Sequence, residues 1–153
     1  MNFRYSLHII GSIMRVVAAL MLFPVLVSVI YSDGCAVWFL AVAAIMFAAG
    51  MLPLLLRVAD KNIFAREGFF IVAVTWFLIS MLGALPFYLS GQIPSYIDAF
   101  FETVSGFTTT GASILTDVES MSPSMLFWRS FTHWMGGMGV LVFAFAILSQ
   151  NGA

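Results

Sequence analysis

Charge is missing from long stretches of this chain, and the positions where it does fall decide what the chain can become. Six Lys or Arg and seven Asp or Glu are distributed over 153 residues, too few to give a soluble domain its polar surface. They bracket apolar runs instead. Arg15 and Asp33 enclose Val16 to Ile30, Asp33 and Arg57 enclose Ala36 to Leu56, and Glu67 and Asp98 enclose Phe69 to Leu89. A fourth run follows Arg129. Each approaches the ~20 residues with which a helix crosses ~30 Å of hydrocarbon. Leu7, Ile9, Ile10 and Ile13 lengthen the first, with Arg15 snorkelling or turned toward protein. The expected fold is an all-α integral membrane protein with four transmembrane helices.

Other classes fall away on composition. A mean hydropathy of +1.06 and a net charge of −1 leave no basic face for nucleic acid. The lone Cys35 rules out an internal disulfide and a cysteine metal site, and is expected to be a small apolar residue at a helix end. A cleaved signal peptide over 1–32 is disfavoured against a retained helix. The run is long for that role, no A-x-A site follows, and Ser32-Asp33-Gly34-Cys35 lacks the lead of a lipoprotein site. No H-E-x-x-H, paired Asp or G-x-S-x-G suggests an intramembrane enzyme.

Orientation follows from the basic residues. Arg4 and Arg15 stand near the N-terminus, and Arg57, Lys61 and Arg66 lie between the second and third runs. The remaining short loops carry Asp33, Asp98, Asp117 and Glu119 and no Lys or Arg. Positive charge stays in the cytoplasm, so the N-terminus and the 59–66 loop are expected inside and the acidic loops outside.

Ile93 to Ser124 is too polar to span and too apolar for an ordinary loop. Pro94-Ser95 offers a helix start with Ser95 as N-cap. Ile97, Phe100, Phe101 and Val104 then recur at i, i+3, i+4, i+7, the apolar stripe of a short amphipathic helix. From Ser95 to Gly106 it is about 18 Å long, enough to enter a membrane but not to cross it. Gly106 is expected to end it. Phe107-Thr108-Thr109-Thr110-Gly111-Ala112-Ser113 follows, and three threonines in a row favour extended backbone. Gly111 permits a geometry that a Cβ obstructs. Asp117 and Glu119 bring the chain back to water. The simplest path is a re-entrant half-helix pore loop, over about 94–116, between the third and fourth helices. Bare backbone at that depth must line protein or a wet cavity. Its carbonyls suit a dehydrated cation, and the negative end of the half-helix dipole adds to them. Asp117 and Glu119 are expected to be solvated loop residues in preference to cation-concentrating mouth charges.

Thr109-Thr110-Gly111-Ala112-Ser113 resembles the T-x-G-Y-G filter of potassium channels with the second glycine missing. With Ala84-Leu85-Pro86-Phe87 before it and His133-Trp134-Met135-Gly136-Gly137-Met138-Gly139 after it, the whole chain resembles the N-terminal part of the Trk/Ktr/HKT superfamily, in its bacterial Trk-type branch. The resemblance implies four helix–pore loop–helix repeats around a pseudo-fourfold pore, preceded by two additional helices. Residues 1–58 are then the additional helices, 59–66 a cytoplasmic loop, and 67–150 the first repeat. It implies K⁺ uptake across the bacterial inner membrane, with K⁺ on the carbonyls of Thr109, Thr110, Gly111 and Ala112 and on the Thr109 hydroxyl. It also implies no cofactor, a homodimer in lipid, and a cytoplasmic nucleotide-binding regulatory subunit of the TrkA type. One filter glycine in place of two implies looser K⁺/Na⁺ discrimination. No second filter-like segment follows Ser113, so the alternative is a non-conducting assembly piece of such a transporter.

Among the remaining residues, His133 is expected to pack with one hydrogen bond rather than relay protons. Gly136, Gly137 and Gly139 are expected to allow close helix contact rather than hinge a gate. Pro53 and Pro86 should shape helix ends, and the methionines should fill apolar gaps. Arg129 is expected to snorkel to the outer interface.

Overall fold

A computed structural model of the chain describes residues 3–55 and 65–150, with side chains over 3–55 and 67–139. Of the expected 59–66 loop, residues 59–64 with Lys61 lie outside the described residues, and Ala65 and Arg66 are already helical. Among those described there are helices and no strands. Three stretches are long and apolar enough to cross a membrane: Phe3–Tyr31, Ala36–Leu55 and Glu67–Leu89.

Prolines divide two of these stretches. The first is α1 (Phe3–Leu20) and α2 (Leu22–Tyr31), broken at Met21. Pro24 has no N–H for the Leu20 carbonyl and its ring crowds that turn. The third is α4 (Ala65–Gly83) and α5 (Leu85–Leu89), broken at Ala84, with Pro86 in the first turn of the short helix. Pro53 marks the place where α3 (Ala36–Met51) tightens into a 3₁₀ turn over Leu52–Leu55. Ser32 and Gly34, both at positive φ, make the turn from α2 to α3. Cys35 is the buried residue that precedes α3, the helix-end role expected of it.

Glycines set how closely α1 and α3 cross. A Cβ on Gly11 would stand 2.7 Å from the Gly50 carbonyl oxygen, and one on Gly50 would stand 2.7 Å from that of Gly11. Neither backbone can carry a side chain there, as at small-residue crossings in membranes. Arg15 lies beside this crossing. Its guanidinium donates to Ser12 Oγ at 2.9 Å and its stem packs on Gly50, so it faces protein.

The centre of the fold is aromatic. Trp128, on α7 (Pro123–Gln150), is fully buried and donates its indole N–H to the Gly83 carbonyl at 2.9 Å. Phe39 of α3 meets its ring edge-on at 6.1 Å, and Phe107 does so at 6.5 Å. The first three helices and the following helix–loop–helix segment therefore share one core. Large apolar residues also cover the outside, among them Val29, Ile30, Val37 and Leu55, each more than 60% exposed. That surface suits lipid or protein, not water.

Candidate cation-binding loop

The site begins with α6 (Tyr96–Phe107), capped where expected by Ser95, whose hydroxyl accepts from the Asp98 N–H at 3.4 Å. Its packing is the reverse of that of a soluble amphipathic helix. Ile97 and Phe101, from the apolar stripe, are 77% and 47% exposed. The buried residues are Ala99, Glu102, Thr103, Ser105, Gly106 and Phe107. An apolar surround reverses the usual preference, so the polar face turns inward and finds its hydrogen-bond partners in protein.

Gly106 does not end α6. The helix runs to Phe107, and the Thr108 N–H still bonds the Val104 carbonyl at 2.9 Å. Gly106 is small because a Cβ would fall on the Thr132 side chain of α7. Gly136 answers it, since a Cβ there would fall on the Phe107 carbonyl. Gly139 leaves room for Trp76, 2.5 Å from a would-be Cβ. Gly137 has slack, its nearest neighbour being Thr109 Cγ2 at 3.9 Å. Close packing thus accounts for Gly136 and Gly139 but not for Gly137. His133 makes the single bond expected, Nδ1 to the Arg129 carbonyl at 3.0 Å.

Thr108 keeps near-helical backbone at φ −86° and ψ −1°, so the threonines do not begin the extended run expected of them, and residues 108–114 are exposed. Thr109 has φ +57° and Gly111 has φ +77°. The second is the positive-φ glycine expected; the first is a threonine in a region that costs a β-branched residue energy. Two helix carbonyls hold the turn, Gly106 accepting from the Thr109 N–H and Ser105 from the Thr110 N–H, each at 2.9 Å. Among the described residues, no hydrogen-bond donor reaches the carbonyls of Thr109, Thr110 or Gly111. The Ala112 carbonyl differs, accepting from the Ser105 hydroxyl at 2.6 Å.

The largest departure from expectation is Arg129. It does not snorkel but pairs through Nε with Glu102, whose side chain is 1% exposed. The same carboxylate accepts from Ser113 Oγ at 3.0 Å and from the Ile114 N–H at 3.1 Å. Glu102 was not singled out in the sequence, although it is the one ionisable residue of α6 beyond its first turn. Asp117 behaves as a loop residue, its carboxylate accepting from the Glu119 N–H at 3.1 Å, and both acids are exposed.

Asp33 joins the first helices to α7. Its carboxylate accepts from Ser28 Oγ, from the Cys35 N–H at 3.0 Å and from the Ser124 N–H at 3.0 Å. It therefore caps the start of α7 from another element. Partial burial works to raise its pKa, but the hydrogen bonds from Ser124, Ser28 and Cys35 outweigh burial and bring it to about 2.

Membrane-length helices and a short inverted helix ending in uncommitted carbonyls define a membrane protein of the cation-transport class. Residues 36–152 match the TrkH family of cation transport proteins, and the chain belongs to that family. It is 40% identical to the Trk system potassium uptake protein TrkH of Escherichia coli over 150 residues, which cover 97% of this chain and 31% of the relative. It is 36% identical to an uncharacterized cation transporter of Methanocaldococcus jannaschii, covering 95% of this chain and 31% of that protein. The crystal structure of the potassium transporter TrkH from Vibrio parahaemolyticus superposes with a TM-score of 0.89 at 36% identity, covering 97% of this chain and 32% of that one. The chain thus spans about a third of the length of the relatives it matches. The family is one of cation transporters, not enzymes.

Proposed function

We propose that this chain supplies one of four filter segments to a channel-like pore that carries K⁺ into the cell across the bacterial inner membrane. The observation that carries the reading is the run of free carbonyls on Thr109, Thr110 and Gly111, placed just beyond the C-terminal end of a 12-residue helix. Uncommitted carbonyls in an apolar surround need a partner, and a dehydrated monovalent cation is one that a ring of such dipoles can hold. The negative end of the α6 dipole points to the same place. K⁺ rests on these three carbonyls, with the Thr109 hydroxyl as a further ligand. Ala112 is the fourth carbonyl ligand, its oxygen keeping a second lone pair beside the one that accepts from Ser105.

In this reading residues 67–150, from the first turn of α4 to the end of α7, form one helix–pore loop–helix repeat with its re-entrant segment over about 94–116, and residues 1–58 are two additional helices. The four spans are α1 with α2, α3 with its 3₁₀ turn, α4 with α5, and α7. The N-terminus faces the cytoplasm, as the basic residues favour. At about 18 Å, α6 is too short to span. The complete transporter is a homodimer in lipid, regulated by a cytoplasmic nucleotide-binding subunit of the TrkA type, and needs no cofactor. Three similar proteins named for potassium uptake or transport support K⁺ as the cargo.

The test places this chain in a Trk-family transporter in place of the matching segment and measures K⁺ and Na⁺ uptake per amount of membrane protein. Gly111→Ser puts a Cβ at φ +77°, at a cost of about 1–2 kcal/mol to the backbone geometry. A Cβ there meets nothing within 4 Å, so the change brings no Cβ clash within this chain. The K⁺/Na⁺ ratio should fall, while Thr116→Ser, beyond the filter residues, should leave it unchanged. An unchanged ratio for Gly111→Ser at normal membrane amounts excludes this loop from the filter.

A further inference from the structure

The buried carboxylate of Glu102 holds the limb of the loop that climbs away from Gly111. Its oxygens take two donors of that limb, the Ser113 hydroxyl at 3.0 Å and the Ile114 N–H at 3.1 Å. The Ser113 oxygen in turn accepts from the Leu115 N–H at 3.1 Å, so one carboxylate fixes three successive residues. Arg129 reaches across from α7 to the same carboxylate, and its side chain is 17% exposed. A carboxylate this buried is costly without a counter-charge and hydrogen bonds, and here it has both. The residues it fixes begin two positions after Gly111. A shift of this limb moves the free carbonyls with it.

We propose that Glu102, paired with Arg129, is a positioning residue that sets the spacing of the loop carbonyls and thereby the discrimination between K⁺ and Na⁺. It touches no ion and acts through Ser113 and Ile114. The proposal rests on the reading of this loop as a filter segment. Charge and acceptor capacity are both needed: an amide in place of the carboxylate weakens the link to Arg129 and turns N–H groups toward the donors of the limb. Hydrogen bonds to a charged group are stronger than neutral ones, so the loss falls on the limb's anchorage rather than on one weak contact.

Two measurements test it. In the hybrid transporter described above, Glu102→Gln should lower the K⁺/Na⁺ uptake ratio about threefold or more, with total cation uptake per transporter retained. Ser113→Ala, which leaves the Glu102–Arg129 pair in place, should lower it by a smaller factor. In this chain itself, reconstituted in bilayers with Cys35 replaced by Ser, a spin label at Thr116 should become more mobile in Glu102→Gln. A label at Ser130, exposed on α7, should not. If Gly111→Ser shifts the ratio but Glu102→Gln and Ser113→Ala do not, the filter reading stands and the positioning role is overturned. If none of the three shifts it, both are overturned, and the label at Thr116 then reports anchorage with no bearing on selectivity.

Discussion

The Ser105 hydroxyl donates to the Ala112 carbonyl at 2.6 Å, tying the last turn of α6 to the far side of the loop it launches. This bond separates Ala112 from the three free carbonyls before it. Ser105→Ala removes the bond and releases a fourth carbonyl into the exposed row. A neutral hydrogen bond contributes about 1 kcal/mol net, so thermal unfolding of the purified chain should register a loss of that order. The K⁺/Na⁺ ratio of the hybrid transporter should fall less than with Gly111→Ser, because the backbone twist at Gly111 is intact. A ratio lowered as far as by Gly111→Ser would place Ala112, not the carbonyls before it, at the heart of selection.

Gly136 and Gly137 are neighbours in α7 with opposite surroundings. Gly136→Ala must push α7 off the Phe107 carbonyl, where overpacking of this kind costs about 1–3 kcal/mol. Gly137→Ala meets only Thr109 Cγ2 at 3.9 Å, and alanine is favoured over glycine inside a helix by about 0.5–1 kcal/mol. Gly136→Ala should therefore unfold at lower temperature than the parent, and Gly137→Ala at the same temperature or higher. Equal losses for both would mean that helix flexibility, not contact, is what the glycines supply.

The sequence made the membrane-length helices, their rough ends and the short capped helix legible, because each rests on local signals: charge-free length, Ser95 as a cap, Pro53 and Pro86 near helix ends; the break before Pro24 was not read. Gly111 was legible for the same reason, since a positive φ after three threonines calls for glycine. The partners of Arg129 were not. Glu102 lies 27 residues away in the chain, and only the packing of α6 on α7 brings the two together. Read alone, an arginine at a helix's outer end resembles an interface anchor. Gly106 misled in a related way. A glycine before a polar run reads as a helix stop, whereas its cause is Thr132 on another helix. The side-chain bond to Ala112 was hidden too, because a serine inside a helix gives no sign of which carbonyl it will reach.

The expected topology places Ser32 and Ser120 on the outer face and the N-terminus inside. Ser32 and Ser120 are both exposed, and the native Cys35 is buried, so the background from the native thiol should be low. In intact cells, single cysteines at Ser32 and Ser120 should react with an impermeant thiol reagent. A cysteine at Phe3, which is 53% exposed, should react only after the membrane is opened. Labelling at Phe3 alone would reverse the orientation, and the loop carbonyls would then face the cytoplasmic mouth.

Asp33 gives the joint between the first helices and α7 a defined response to acid. Its pKa is lowered from 3.8 to about 2. A depressed carboxylate pKa adds stability above the unfolded value, and that contribution is lost as pH falls through the folded one. The window therefore lies between about pH 4 and pH 2. Within it, protonation takes the charge from the acceptor that holds the Cys35 and Ser124 N–H groups, and the start of α7 loses its cap. Asp33→Asn keeps the size of the side chain and removes its titration. The unfolding temperature of the parent in detergent should drop between pH 4 and pH 2 by more than that of Asp33→Asn. At pH 6, where the parent carboxylate is ionised, Asp33→Asn should be the less stable of the two, because a neutral cap oxygen accepts more weakly than a carboxylate. Parallel acid profiles for the two proteins would show that the acid response arises elsewhere, and equal stability at pH 6 would show that the Asp33 charge does not hold this joint.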